Sequence, residues 1–136
     1  MDRGLVVQSR VLGGTMDVEA FEQLVVEAIE SLPEAFLRHL DNVEVIVERR
    51  PTREQRRAVG LKPWQTLYGM YDGIPLTERH TGSLAPPDAI LIFQEPLERD
   101  FRSPAALREQ VRRTVLHEIA HAFGISDSRL RDLGAY

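Results

Sequence analysis

The chain contains no cysteine, which excludes disulfides, thiolate metal ligands and a cysteine nucleophile together. Aromatic residues make up only 7%, with a single tryptophan, so a run of stacked nucleobases has little to rest on. The net charge of -4 also argues against general nucleic-acid affinity, which needs basic surface to displace counterions, and no nucleic-acid partner is expected. No apolar run approaches the roughly 20 residues of a bilayer span, so no membrane association is expected either. The N-terminus MDRGLVVQSRVLGG has no long apolar stretch followed by a small-residue cleavage site. No secretory leader is therefore expected, and a cytoplasmic location is the reading.

What remains is an ordinary globular composition: 136 residues, 43% apolar and 28% charged, enough for one domain with one core. Residues 1–15 read as an N-terminal arm, disordered or carrying a short strand at Leu5–Val11. Residues 16–136 read as a single domain. No repeat or low-complexity segment interrupts it. Basic charge is almost all arginine and concentrates in "ERRPTREQRRAVG", where Glu48 and Glu54 intervene. That pattern predicts a solvated loop or helix face, with a patch for an anionic partner as the rival reading.

From Asp17 onward, Val18, Phe21, Leu24, Val25, Ala28, Ile29 and Leu32 recur at three and four, predicting an amphipathic helix that Pro33 ends. Glu34–Leu40 reads as a further short helix. "NVEVIVE" alternates as a strand should, apart from Ile46, and Thr66–Tyr71 reads as a second strand. Ile74–Ser83 contains Pro75 and suits only a sheet edge or a loop. "DAILIF", Asp88–Phe93, is apolar enough for a strand buried on both faces. Ser103 and Pro104 supply an N-cap and a first helical position, and Gly124 a left-handed stop, for a helix running to about Phe123. The order of elements implies an α+β fold: two main helices packed on a small mixed sheet with an antiparallel edge strand.

The last of these helices carries "TVLHEIAHAFGISDSRL". With His117 at zero on a helical wheel, His121 falls near about 40° and Glu118 near about 100°, while Val115, Leu116, Ile119, Ala120, Ala122 and Phe123 occupy the roughly 140–300° arc. The histidines thus sit off the core side. Two imidazoles one turn apart can converge on one zinc ion, and the adjacent glutamate can take a proton from a water that the metal acidifies. A catalytic zinc usually has three protein ligands. Gly124 turns the chain, and Asp127, three residues on, is the expected third ligand. His39 and His80 stay open as alternatives without a defined spacing to the pair.

The pattern His117-Glu118-x-x-His121-x-x-Gly124-x-x-Asp127 resembles the extended motif of the metzincin-type zincin metallopeptidases, with aspartate at the third position. More closely, the chain is similar to a family of minimal bacterial zincin-like proteins, through "LPEAFLRHLDNVEVIVERRPT", "LYGMYDGIPLTER", "PDAILIF" and "VRRTVLHEIAHAFGISDSRLRDL". The resemblance implies a zincin-like fold with one Zn2+ ion on His117, His121 and Asp127, and Glu118 as general base for peptide-bond hydrolysis. It departs from metzincins in having no methionine after Met70, hence no Met-turn. Zincins pair extended substrate with an edge strand, so the expected partner is a peptide or protein substrate held by strand addition at Leu76–Thr81. Tyr68, Tyr71, Arg79 and His80 are candidate oxyanion donors. The alternative function is a metal-binding, catalytically weak or inactive interaction module.

Overall fold

The computed structural model describes residues 7–9, 18–40, 43–73 and 88–132. In chain order the elements are β1 (Val7–Ser9), α1 (Val18–Glu30), α2 (Glu34–Leu37) with a 3-10 turn after it, β2 (Val43–Glu48), α3 (Arg53–Ala58), β3 (Gly69–Asp72), β4 (Asp88–Phe93), α4 (Gln94–Asp100), α5 (Pro104–Phe123) and α6 (Asp127–Asp132). The strands form one mixed sheet ordered β1-β2-β4-β3. β1, β2 and β4 are parallel, and β3 runs antiparallel to β4 at the end of that order. The fold is α+β, with α1 and α5 packed together and α5 also against β3 and β4.

Alternation along β2 accounts for its sequence. Val43, Val45 and Val47 join Ile90 and Ile92 of β4 in the core under the helices. Ile46, which breaks the polar alternation, points to the opposite face with Ala89, Leu91 and Phe93, and Leu67 and Met70 pack there. Both faces of β4 are therefore apolar and buried, as "DAILIF" implies, whereas β2 flanks Ile46 with the half-buried Glu44 and Glu48. α1 contributes Phe21, Val25, Ala28 and Ile29 to the main core. Full burial of each of the three larger side chains, Phe21, Val25 and Ile29, is worth about 1.5–3 kcal/mol. Arg108 reaches back from α5 to Glu27 of α1 at 3.2 Å, but the pair is exposed and adds little.

Several boundaries differ from the sequence expectation. Helix α4 occupies residues 94–100, a stretch to which the sequence pattern assigned no element. Pro96 is its third residue, in the first turn, where a missing N–H costs nothing. The second strand begins at Gly69 rather than Thr66. β1 falls within Leu5–Val11 and pairs with β2, Val7 opposite Val45. The Ile74–Ser83 segment lies outside the described residues. Among the described residues, no helix is long and apolar enough to cross a membrane.

Two local contacts hold β3 in place. At Gly69 a Cβ would lie 2.6 Å from Thr114 Cγ2 of α5 and 2.8 Å from the Leu91 carbonyl oxygen, so only glycine lets strand and helix approach this closely. Just before the strand, the Tyr68 hydroxyl donates to Asp100 Oδ2 at 2.6 Å, and its ring meets Phe101 edge-on at 5.5 Å. Arg99 donates to the same carboxylate from Nε at 2.8 Å and Nη2 at 3.0 Å. The Arg99 bonds, then the Tyr68 hydroxyl, hold the Asp100 carboxyl down at about 2. Burial, and secondarily the Asp100 bond, push Tyr68 up to about 12.

Gly69→Ala should lower stability by about 1–3 kcal/mol in urea unfolding, with partial recovery when Thr114→Ser removes the clashing methyl. A neutral Gly69→Ala would disprove the close approach. Asp100 has a folded pKa below its ordinary 3.8, so its contribution is complete above about pH 4 and lost as pH falls towards 2. Tyr68→Phe should shift the Asp100 midpoint upwards in a carboxyl-carbon NMR titration; an unmoved midpoint would rule out the hydroxyl as a donor.

Candidate metal centre

Helix α5 is punctuated as its sequence requires. Ser103 Oγ accepts from the Ala106 N–H at 3.1 Å, Pro104 opens the first turn, and Gly124 adopts the left-handed conformation at φ 70°. Over its last turns Val115, Leu116, Ile119, Ala120 and Ala122 are buried, while His117 and His121 are exposed. Core and imidazoles divide the helix as the wheel predicts. The two histidines are one turn apart, about 6 Å along the axis.

Glu118 lies between these sides and is half-buried. Its carboxylate accepts a hydrogen bond from the backbone N–H of Tyr71 on β3. Burial raises its pKa above the ordinary 4.5, with the Tyr71 N–H and the charge of His121 pulling partly the other way. The result is a carboxylate oriented by the sheet and more ready to hold a proton than an exposed one. Sequence reasoning did not anticipate the Tyr71 contact, since a backbone donor leaves no mark on residue identity. Gly69 was the available signal, because glycine inside a strand pattern marks close approach.

Beyond Phe123 the Gly124 and Ile125 N–H groups both return to the Ala120 carbonyl, the latter at 2.8 Å. The chain then enters α6, where Ser126 Oγ accepts from the Arg129 N–H at 3.2 Å. Asp127 is the first residue of α6, immediately after this turn. Its side chain, that of His39, and all of Arg79 and His80 lie outside the described residues. Among the described residues, no three histidine, aspartate or glutamate side chains are grouped as a metal cage. The pair of imidazoles at i and i+4, a neighbouring carboxylate and the absence of thiolates nonetheless make a nitrogen–oxygen donor set of the kind that suits zinc.

Of the remaining candidates, Tyr68 commits its hydroxyl proton to Asp100 and its ring to Phe101, which is a structural role. Tyr71 packs against the main core and meets Glu118 through its backbone.

A family model described as zincin-like metallopeptidase matches residues 40–135. The chain belongs to that family. None of the curated proteins matches the sequence significantly. The matched region runs from the 3-10 turn before β2 to beyond α6 and includes both histidines, Glu118 and Asp127. In this member of the zincin-like family the turn at Gly124 is strained for any other residue, although a Cβ there would meet nothing within 4 Å. Gly124→Ala should therefore cost about 1 kcal/mol in urea unfolding from backbone conformation alone. An unchanged midpoint would show that the turn relaxes without its glycine.

Proposed function

We propose that this member of the zincin-like family is a zinc-dependent endopeptidase in which His117, His121 and Asp127 hold one Zn2+ ion and Glu118 is the general base. The observation that carries the reading is the division of α5: two exposed imidazoles one turn apart beside a half-buried, hydrogen-bonded glutamate. The left-handed turn at Gly124 ends α5 and so supports Asp127, three residues on, as the third donor. When bound, zinc supplies Lewis acidity to a scissile carbonyl and to water.

The chain's own groups do the rest. His117 and His121 donate ring nitrogens, which requires both imidazoles to be neutral. A Glu118 carboxylate oxygen takes the proton from the attacking water and later delivers it to the leaving amine nitrogen. The Tyr71 N–H keeps that carboxylate from swinging away as its charge changes. Extended peptide is the substrate class, with strand addition at Leu76–Thr81 as the binding mode and the cytoplasm as the location.

Glu118→Gln should retain zinc, as read by metal analysis of the purified protein, and lose about 100-fold or more of its hydrolysis of a peptide library. His117→Ala, His121→Ala and Asp127→Asn should each lose zinc. An active Glu118→Gln would remove the glutamate from its role. Zinc retained with no chelator-sensitive cleavage of any peptide would favour the interaction module.

A further inference from the structure

A second surface, sharing no lining residue with α5, is built around the sole tryptophan. Helix α3 starts with a reciprocal cap in which Thr52 Oγ1 accepts from the Gln55 N–H at 3.0 Å and Gln55 Oε1 accepts from the Thr52 N–H at 2.8 Å. This fixes Arg56, whose Nη2 donates to the carbonyl oxygens of Lys62, Pro63 and Gln65 at 3.3, 3.3 and 2.7 Å. Lys62 and Gln65 close the same turn on each other, through Lys62 N–H to Gln65 Oε1 at 3.0 Å and Gln65 N–H to the Lys62 carbonyl at 3.0 Å. The product of this bracing is an indole held in water. Trp64 is 76% exposed, with Lys62 Nζ 5.5 Å from its ring centre.

Beside the indole opens a cleft of about 470 Å³, lined by Arg50, Arg56, Arg99, Pro51, Pro96 and Glu95 among others. Three guanidinium groups line it with one carboxylate; Arg56 is engaged by the turn carbonyls and Arg99 by Asp100, which leaves Arg50 as the least committed of the three. The site already shows how it treats a carboxylate: Glu95 is taken by Arg49 at 3.1 Å and only loosely by Arg50 at 3.9 Å. Arg50 therefore has donors to spare. Arginine and tryptophan are also the side chains that most often anchor protein partners.

The geometry points to a docking site for an acidic peptide segment of a partner protein, with a carboxylate on Arg50, in the field of the neighbouring Arg99 and Arg56, and an adjacent apolar side chain on Trp64. Nucleic acid fits less well. A single indole cannot stack successive bases, and the lining arginines form one local group rather than a track along a phosphate backbone. The site is independent of the hydrolytic reading and would stand without it.

Because Trp64 is the only tryptophan, its emission reports on this cleft alone. The test titrates the whole chain with acetyl-Glu-Glu-Leu-Glu-Glu-amide, with the matched Gln peptide, and with a single-stranded oligodeoxythymidylate. The expected result is a saturable change with the Glu peptide that weakens about threefold or more as salt screens it. Arg50→Glu should weaken binding about tenfold, and Arg99→Gln should act in the same direction. Arg53→Gln with Arg57→Gln, on α3 outside the lining, should change it less than about twofold, all with unaltered circular dichroism. Equal response to the Gln peptide, tighter binding of the oligonucleotide, no response to the Glu peptide, or equal losses from lining and non-lining arginines would each overturn the proposal.

Discussion

The arrangement rests on how closely α5 approaches β3. Gly69 leaves no side chain between them, so Thr114 packs onto the strand backbone and, one turn later, Glu118 comes within reach of the Tyr71 N–H. A wider gap would leave the Glu118 carboxylate to water and free it to rotate. The same approach commits the apolar side of α5 to the sheet, and the histidines are left on the outer side by elimination. Orientation of the carboxylate and display of the imidazoles are two results of one packing constraint.

Much of this was legible in the sequence where side chains declare their role. Ser103, Pro104 and Gly124 marked the ends of α5 to the residue, and the wheel separated His117 and His121 from Ile119 and Leu116. β2 and β4 followed from alternation and apolar content, with the anomalous Ile46 explained by a second buried face. What stayed hidden was carried by backbone groups or by context. No element was read at residues 94–100, and α4 was missed; its Pro96 lies in the first turn, where a proline is harmless. Leu67 and Tyr68 looked like strand residues, but one packs on the far face and the other is drawn to Asp100 and Phe101. Helix α6 has no apolar stripe to announce it and depends on the Ser126 cap.

The two exposed features of the molecule are organised in the same way. In each, a rigid frame presents side chains that the core cannot use: α5 presents two imidazoles, and the turn clasped by Arg56 presents an indole. The frames differ in what stabilises them. α5 is held by burial of its opposite side, whereas the turn is held almost wholly by hydrogen bonds to carbonyl oxygens near solvent, each worth about 0.5–1.5 kcal/mol. Substitutions in the first frame carry over into global stability, and those in the second remain local.

The sheet order also constrains how the chain can reach this state. β2 takes β1 on one side and β4 on the other, joining Val45 to Val7 and Val43 to Asp88, and both ladders are parallel. Neither can begin as a hairpin, so the central ladder must bring distant segments together before any of its bonds repay the lost chain entropy. The helices can form early from local contacts, but the strand that carries Tyr71 gains its place only once β4 is laid down beside it. The orientation of Glu118 thus depends on tertiary assembly of α5 with β3, and a chain with α5 formed alone would carry both histidines without it.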